Sequence, residues 1–375
     1  MHLEHLQVEK FRCLDSFEQE LPKGRILIEG NNASGKTTLL EAIYYLVTGR
    51  SFRTRYDNDC IPWDAPGDTL SLIRGKARRA NGDTCRLGVT LGTGLKAVRI
   101  DGKPLKQLAG LWGKLRAVLF TPDDLQLIKG APGERRRYLD VALSQIDPNY
   151  IFYLQRYNHA MRQRNALLKR TDLTDRQMHQ NVAPWDDQLA ENGAPVMKAR
   201  HDFIMALEPR AAQIYWQIVA HTADSKDRAD EVLHLQYQSS IKMRLPDDLD
   251  KIRANILKHL GESTYEDRRR GQTGVGPHRD DMGVLLSRKP TRDFGSQGQI
   301  RSAVLALTLA EIEEMESRTG EAPLVLLDDL ASELDPLRKA KLLELLQPHW
   351  QNFMTTTRRS DFPDADAFDL VITLP

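Results

Sequence analysis

The chain has 375 residues, 53 Lys+Arg against 52 Asp+Glu, and a formal charge of +1. That length can bury a sizeable core and divides into two or three domains, and 41% apolar with 28% charged residues excludes a mostly disordered chain. Near-neutrality excludes a histone-like polycation but leaves local basic patches free to meet nucleic acid.

The N-terminal segment Met1 to Lys10 lacks the apolar centre of a signal peptide. The longest apolar runs, such as Ala303 to Leu307, are far too short for a membrane span. Cys13, Cys60 and Cys85 have no metal-ligand spacing, so reduced thiols in a cytoplasmic protein are expected.

Leu3 to Phe11 alternates as a strand, and Arg25 to Glu29 is an apolar run that stops at Gly30. Leu39, Ile43, Leu46 and Val47 share one face of a helix that follows. Strands are expected at 69–77, 85–91 and 96–100, with Asp101-Gly102 as a turn, and again at 115–120. From Lys129 the periodicity becomes helical. Leu189, Val196, Phe203, Leu207, Ile214 and Ile218 mark a long helix that Pro195 and Pro209 would divide or bend. Leu249, Ile252, Ile256 and Leu260 mark another. Strand patterns return at 282–286, 323–327 and 352–356, around a helix at 300–315. No heptad is sustained, which excludes a long coiled coil. The expected fold class is α/β: a mostly parallel sheet, discontinuous in sequence (1–128 and 273–375), with a helical lobe inserted at 129–272.

Gly30-Asn31-Asn32-Ala33-Ser34-Gly35-Lys36-Thr37 fits G-x-x-x-x-G-K-[ST] between a strand and a helix, and Thr38 continues that helix. The glycines let backbone N–H groups face phosphate oxygens; Lys36 would reach the β- and γ-phosphates, and the Thr37 hydroxyl would ligate Mg²⁺. ATP with Mg²⁺ is the expected cofactor. A P-loop needs an acidic strand end for the metal, and Leu324-Val325-Leu326-Leu327-Asp328-Asp329 supplies one. Asp328 would hold the metal and Asp329 would act as the catalytic group orienting the attacking water. Ser296-Gln297-Gly298-Gln299 opens an apolar helix 32 residues before Asp328, offering a hydroxyl and a helix N-terminus to an anion.

That order resembles ABC-type ATPases, whose signature motif caps the γ-phosphate held by the other subunit; Ser332 to Asp335 resembles their D-loop. Phe11-Arg12, Gly49 to Arg53, Phe120 to Leu125, Gly133 to Arg137 and Gly276 to Asp281 narrow the resemblance. With the motifs above they resemble the RecF family, from about Leu3 to Thr357. The resemblance implies an SMC-like P-loop ATPase head of ABC type with a mixed sheet and a compact helical arm. It implies a weak, DNA-stimulated ATPase that dimerises with ATP and clamps gapped single- or double-stranded DNA. It further implies support of RecA loading, replication and the SOS response, RecR and RecO as partners, and no membrane. Ala33 stands where the family commonly has Gly, so a positive φ there would be strained. The ABC switch histidine has no counterpart at Met354 to Thr357, and Gln126 is the candidate Q-loop residue. A motor ATPase docked on transporter subunits is the alternative.

Nine Lys+Arg against three acids lie between Lys129 and Arg170. Arg135, Arg136, Arg137, Arg162 and Arg164 are the DNA-phosphate candidates; Tyr150, Phe152, Tyr153 and Tyr157 among them read as core or interface. Arg50, Arg53, Arg55, Arg74, Lys76, Arg78 and Arg79 form a second basic cluster. His278-Arg279-Asp280 lacks the companions of a kinase loop and reads as a structural turn.

Overall fold

The computed structural model describes residues 1–220, 231–241, 248–329, 334–362 and 368–375. The chain divides into two compact units: Met1–Leu125, Arg210–Glu231 and Ser296–Pro375 form the first, Gln126–Pro209 and Val232–Gly295 the second. The expected boundaries at 129 and 272 therefore shift. The second unit closes at Gly295, and the chain crosses into the first unit once more between Arg210 and Glu231.

The first unit holds two sheets. One is antiparallel: β1 (His2–Phe11), β2 (Leu14–Glu20), β4 (Ser71–Arg78), β5 (Thr84–Gly92), β6 (Leu95–Ile100) and β7 (Lys103–Pro104), in the order β2-β1-β4-β5-β6-β7. The other contains β3 (Arg25–Glu29), β8 (Ala117–Phe120), β12 (Leu324–Leu327), β13 (Asn352–Thr356) and β14 (Leu370–Thr373). Its order is β14-β3-β13-β12-β8, and every pairing is parallel. Parallel and antiparallel bonding are thus kept apart within the unit. The turn at Asp101-Gly102 forms as expected, both residues at positive φ.

Helix α1 (Lys36–Thr48) departs from its predicted one-sided stripe. Every residue from Thr38 to Thr48 is buried, because α1 packs against β1, β4 and β5 of one sheet and β8 and β13 of the other. A helix between two sheets has no solvent face to keep polar.

The second unit contains α2 (Gln126–Lys129), α3 (Pro132–Ile146), α4 (Pro148–Leu168), α6 (Leu249–Arg270) and α7 (Thr291–Phe294). It also holds most of α5 (Asp175–Val219). A small antiparallel sheet joins them, β9 (Leu233–Gln238), β10 (Asp281–Leu286) and β11 (Lys289–Pro290), in the order β11-β10-β9. The strand at 282–286, assigned from sequence to the ATPase lobe, therefore belongs to the second unit. Helix α5 continues through Pro184, Pro195 and Pro209. Its six marked apolar residues are all buried, and that packing offsets the backbone bonds the prolines remove.

Candidate nucleotide site

The parallel sheet creates the site. In such a sheet all carboxyl ends lie on one edge, where ligands bind. Strand β3 runs into the P-loop there, and β12 ends at Leu327, immediately before Asp328. Between them lies β13, with Thr355 opposite Ile28 and Met354 opposite Leu327.

The loop that leaves β3 is conformationally committed. Gly35 has φ 101° and N-caps α1, and a Cβ there would lie 2.9 Å from the Leu14 side chain. At Gly30 a Cβ would meet Ser34 Oγ at 2.5 Å and the Leu374 carbonyl at 2.8 Å. Close approach to backbone requires Gly30, and the left-handed φ requires Gly35. Ala33 has φ 67°, the left-handed conformation that was expected to strain it. Asn31 and Asn32 are exposed, and Thr38 is buried.

Lys36 Nζ donates to the carbonyls of Gly30 at 2.8 Å and Asn31 at 2.7 Å, which curls the loop around the ammonium. Burial lowers its pKa, opposed by the carboxylates of Asp329 and Asp328. Ser34 Oγ is buried and has no hydrogen-bond partner among the described residues. A hydroxyl held without a partner beside a cationic loop fits a phosphate oxygen.

Asp328 is 6% exposed. Its Oδ1 accepts from Thr37 Oγ1 at 3.0 Å and from Thr355 Oγ1 at 2.8 Å. Burial raises its pKa against these two hydroxyls. Thr355 Oγ1 in turn accepts the Asp329 backbone N–H at 2.8 Å. Asp329 itself has φ 47°. The two acids are therefore positioned by one threonine from the neighbouring strand, at the place where the switch histidine was missing. The oxygens of Thr37 and Asp328 make a donor pair suited to Mg²⁺, a hard cation that takes oxygen ligands.

Glu41 on α1 was not expected at the site. It is fully buried, and its carboxylate takes Arg12 Nε at 2.6 Å and Nη2 at 2.8 Å, Arg53 at 3.4 Å, and the Ser51 hydroxyl. Arg12 and Arg53 are thereby fixed beside Lys36 and Thr37 in the wall of one pocket of about 600 Å³. Glu41 is hidden in sequence inside an apolar helix; its only signal was a charge at a position a buried face should leave apolar.

At the signature segment, Ser296 and Gln299 form a capping box on α8 (Gln297–Thr319). Ser296 Oγ accepts Gln299 N–H at 3.2 Å, and Gln299 Oε1 accepts Ser296 N–H at 2.7 Å. Gln299 Nε2 also donates to Glu231 at 2.6 Å. Gly298 leaves room for Arg338, whose Nη2 would sit 3.2 Å from a Cβ at that position. Arg338 donates to Ser302 Oγ at 2.9 Å and pairs with Asp335. Asp335 caps α9 (Pro336–Leu345), accepting Arg338 N–H at 3.0 Å. Asp335 and the helix that Ser296 caps thus meet on one arginine. Ser332 lies outside the described residues. Gln126 is exposed at the start of α2, and its carbonyl accepts Gly130 N–H at 2.7 Å.

The basic residues of the second unit separate into two groups. Arg135 and Arg164 are corrections: both are buried, at 6% and 0% exposure. Arg135 pairs with Asp281 and donates to the carbonyls of Leu127 and Gly130. Arg164 pairs with Asp186 and Asp267. A desolvated guanidinium needs such partners, and these leave nothing to offer a phosphate. Arg136 is half-buried and donates to the Asp280 carbonyl at 2.8 Å. Arg137 and Arg162 are exposed. Tyr150 and Tyr157 are core, as expected, while Phe152 is 47% exposed with Arg156 over its ring. In the second basic cluster Lys76 and Arg78 pair with Glu4, and Arg79 with Glu321. The segment His278 to Asp280 is structural: Asp280 accepts from Tyr237 and from Ser240 N–H.

No helix among the described residues is long and apolar enough to cross a membrane. Comparison with known proteins agrees with the architecture. The model of the RecF/RecN/SMC N-terminal domain matches residues 2–373. A DNA replication and repair protein RecF from Symbiobacterium thermophilum is 42% identical over 363 residues, covering 96% of this chain and 92% of that protein. Its counterpart from Herpetosiphon aurantiacus is 38% identical, covering 96% and 94%. A solved structure of the recombination mediator RecF with ATP superposes with a TM-score of 0.85 at 33% identity, covering 96% of this chain and 92% of that one. An Smc head bound to a ScpA winged-helix domain shares the fold, with a TM-score of 0.56 at 14% identity. The chain belongs to the RecF/RecN/SMC family of ABC-type ATPase heads, on its RecF branch.

Proposed function

We propose that this protein is an ATP-driven switch that clamps DNA during replication and repair in the cytoplasm. The observation that carries the reading is the shared carboxylate of Asp328, bonded at once to Thr37 of the P-loop helix and Thr355 of the central strand. It supports a reading in which phosphate-binding and acidic elements share one sheet edge. Lys36, the loop N–H groups and Ser34 Oγ bind the triphosphate. Thr37 and Asp328 would hold Mg²⁺, which would supply counter-charge to the phosphates. Asp329 orients the attacking water, and Thr355 fixes the backbone from which it acts. Arg12 and Arg53, steadied by Glu41, add positive charge to the pocket wall.

Lys36 and Ser296 belong to opposite halves of two composite sites. A two-fold dimer completes both at once, because each patch is used twice. ATP binding then becomes dimerisation, and hydrolysis, weak and stimulated by DNA, releases the dimer. Of the candidates for DNA phosphates, Arg137 and Arg162 are the exposed ones that remain in the second unit. Gapped DNA, RecR, RecO and RecA are the partners this reading assigns, with RecA loading and the SOS response as its outcome; the family resemblance implies them, and the recombination mediator RecF solved in the RecFOR pathway supports that setting.

Sedimentation with ATP under non-hydrolysing conditions tests the switch. Wild type should dimerise, and Ser296→Arg should bind ATP yet stay monomeric. A wild-type protein that remains monomeric at saturating ATP overturns the dimer mechanism.

A further inference from the structure

Trp63 is 93% exposed and forms part of the wall of the pocket that holds Lys36, Thr37 and Arg12. Large aromatics are costly to leave in water, and a rigid one at a pocket rim points to a ligand face. The segment that carries it is anchored. Cys60, fully buried, accepts the Arg12 backbone N–H at 2.8 Å, and Ile61 is also buried. Ala65 N–H bonds the Pro62 carbonyl at 3.2 Å, which closes a turn with Trp63 and Asp64 at its centre. The indole therefore stands on a fixed turn three residues beyond a buried anchor.

The pocket is also larger than phosphate chemistry needs. A volume of about 600 Å³ is that of a site for a whole organic ligand, whereas a P-loop's backbone N–H groups and lysine account for phosphate alone. The pocket's lining also includes Trp63, with Pro62 and Asp64, and an indole offers a π-face, the feature a purine needs and a phosphate does not.

We infer that Trp63 stacks on the purine base of the bound nucleotide and supplies the base-dependent part of its affinity. This rests on the proposed nucleotide reading of the P-loop. It adds a specificity-determining residue outside the P-loop and acidic motifs, from a segment in which no motif was recognised.

The test measures Mg²⁺-dependent binding of ATP and of inorganic triphosphate, with tryptophan fluorescence recorded for wild type, Trp63→Phe and Trp63→Ala. ATP should change the Trp63 emission, isolated as wild type minus Trp63→Phe, and inorganic triphosphate should not. Trp63→Ala should weaken ATP roughly tenfold, the size of one base–aromatic stack, while triphosphate affinity stays unchanged. Trp63→Phe should recover most of the loss. Equal weakening of both ligands, or an unchanged ATP affinity in Trp63→Ala, overturns the inference alone. An emission change with single-stranded DNA and none with ATP also overturns it. If wild type binds neither ATP nor triphosphate, the nucleotide reading itself falls.

Discussion

The P-loop corner and the polar interior of the second unit are both built from buried charge, and they close differently. In the second unit Arg164 sits between Asp186 and Asp267, and Arg200 bonds Asp140, the Tyr150 hydroxyl and the Pro277 carbonyl. Each cation is surrounded by acceptors from its own chain. At the P-loop corner, Glu41 and Asp328 are buried just as deeply, but the networks they anchor open into a pocket. Ser34 Oγ has no partner among the described residues, and Arg12, Lys36 and Thr37 line free volume. A closed charge network makes a scaffold; one left open on a single side makes a site.

The strongest way to break that contrast is to remove one cation from each network. Lys36→Met should abolish detectable ATP binding while leaving unfolding stability near wild type, because only the open side loses charge. Titration calorimetry beside urea unfolding reads both, and unchanged nucleotide affinity would remove Lys36 from the site. Arg164→Met should do the reverse. It strands two buried carboxylates and should cost about 3–5 kcal/mol of stability. A loss below about 1 kcal/mol would mean that Arg164 is not the keystone of its network.

Two carboxylates of the open network should divide the work. Asp328→Asn should weaken Mg²⁺-dependent binding, whereas Asp329→Asn should keep ATP bound and slow hydrolysis by roughly 100-fold or more, the usual scale for a general base. Wild-type turnover in both variants would reject the assigned roles.

A smaller effect distinguishes the closed network by pH. His278 Nδ1 lies 2.6 Å from the Tyr157 hydroxyl, and Nε2 lies 3.0 Å from the Thr273 carbonyl. That pattern suits a neutral ring with its proton on Nε2. Burial is the largest cause that lowers its pKa to about 4, with the positive charges of Arg279 and Arg136 acting in the same direction. The Thr273 carbonyl and Asp267 oppose it. Below pH 6.5 the unfolded chain takes up a proton that the folded chain refuses. Stability should therefore fall as pH drops from 6.5 towards 4, by about 2 kcal/mol at pH 5. His278→Gln should lose less over the same interval. Equal losses in both proteins would show that carboxylates account for the whole slope.

The same contrast marks what the sequence made legible. The P-loop reads from sequence because its glycines, lysine and threonine act within eight consecutive residues. Asp328 reads because a buried strand ends there. Thr355 and Glu41 were missed as site residues because their roles exist only across strands and helices brought together by folding. Local charge excess misread Arg135 and Arg164, since counting cannot see Asp281 or Asp267 more than 100 residues away. Strand β2, with the sequence LDSFEQE, and β9, with LHLQYQ, escaped because they are short, largely polar strands whose order comes from their neighbours.

The smallest expected effect tests whether the open network stores backbone strain. Ala33 holds φ 67°, a conformation that costs an alanine about 1–2 kcal/mol relative to glycine. Glycine removes that strain but also gains freedom in the unfolded chain, worth about 0.4–1 kcal/mol in the opposite direction. The first effect is the larger, so Ala33→Gly should stabilise the protein by about 0.5–1 kcal/mol at 25 °C. Ala33→Val should destabilise it, because a β-branched side chain is worse still at positive φ. Neither change removes a hydrogen bond, since the alanine methyl makes none, so the pair isolates backbone conformation from polar contacts. Urea midpoints at constant m-value measure the difference. Should Ala33→Gly prove less stable than wild type, the loop would not be strained at this residue, and Ala33 would be an ordinary tolerated substitution in an otherwise glycine-dependent loop.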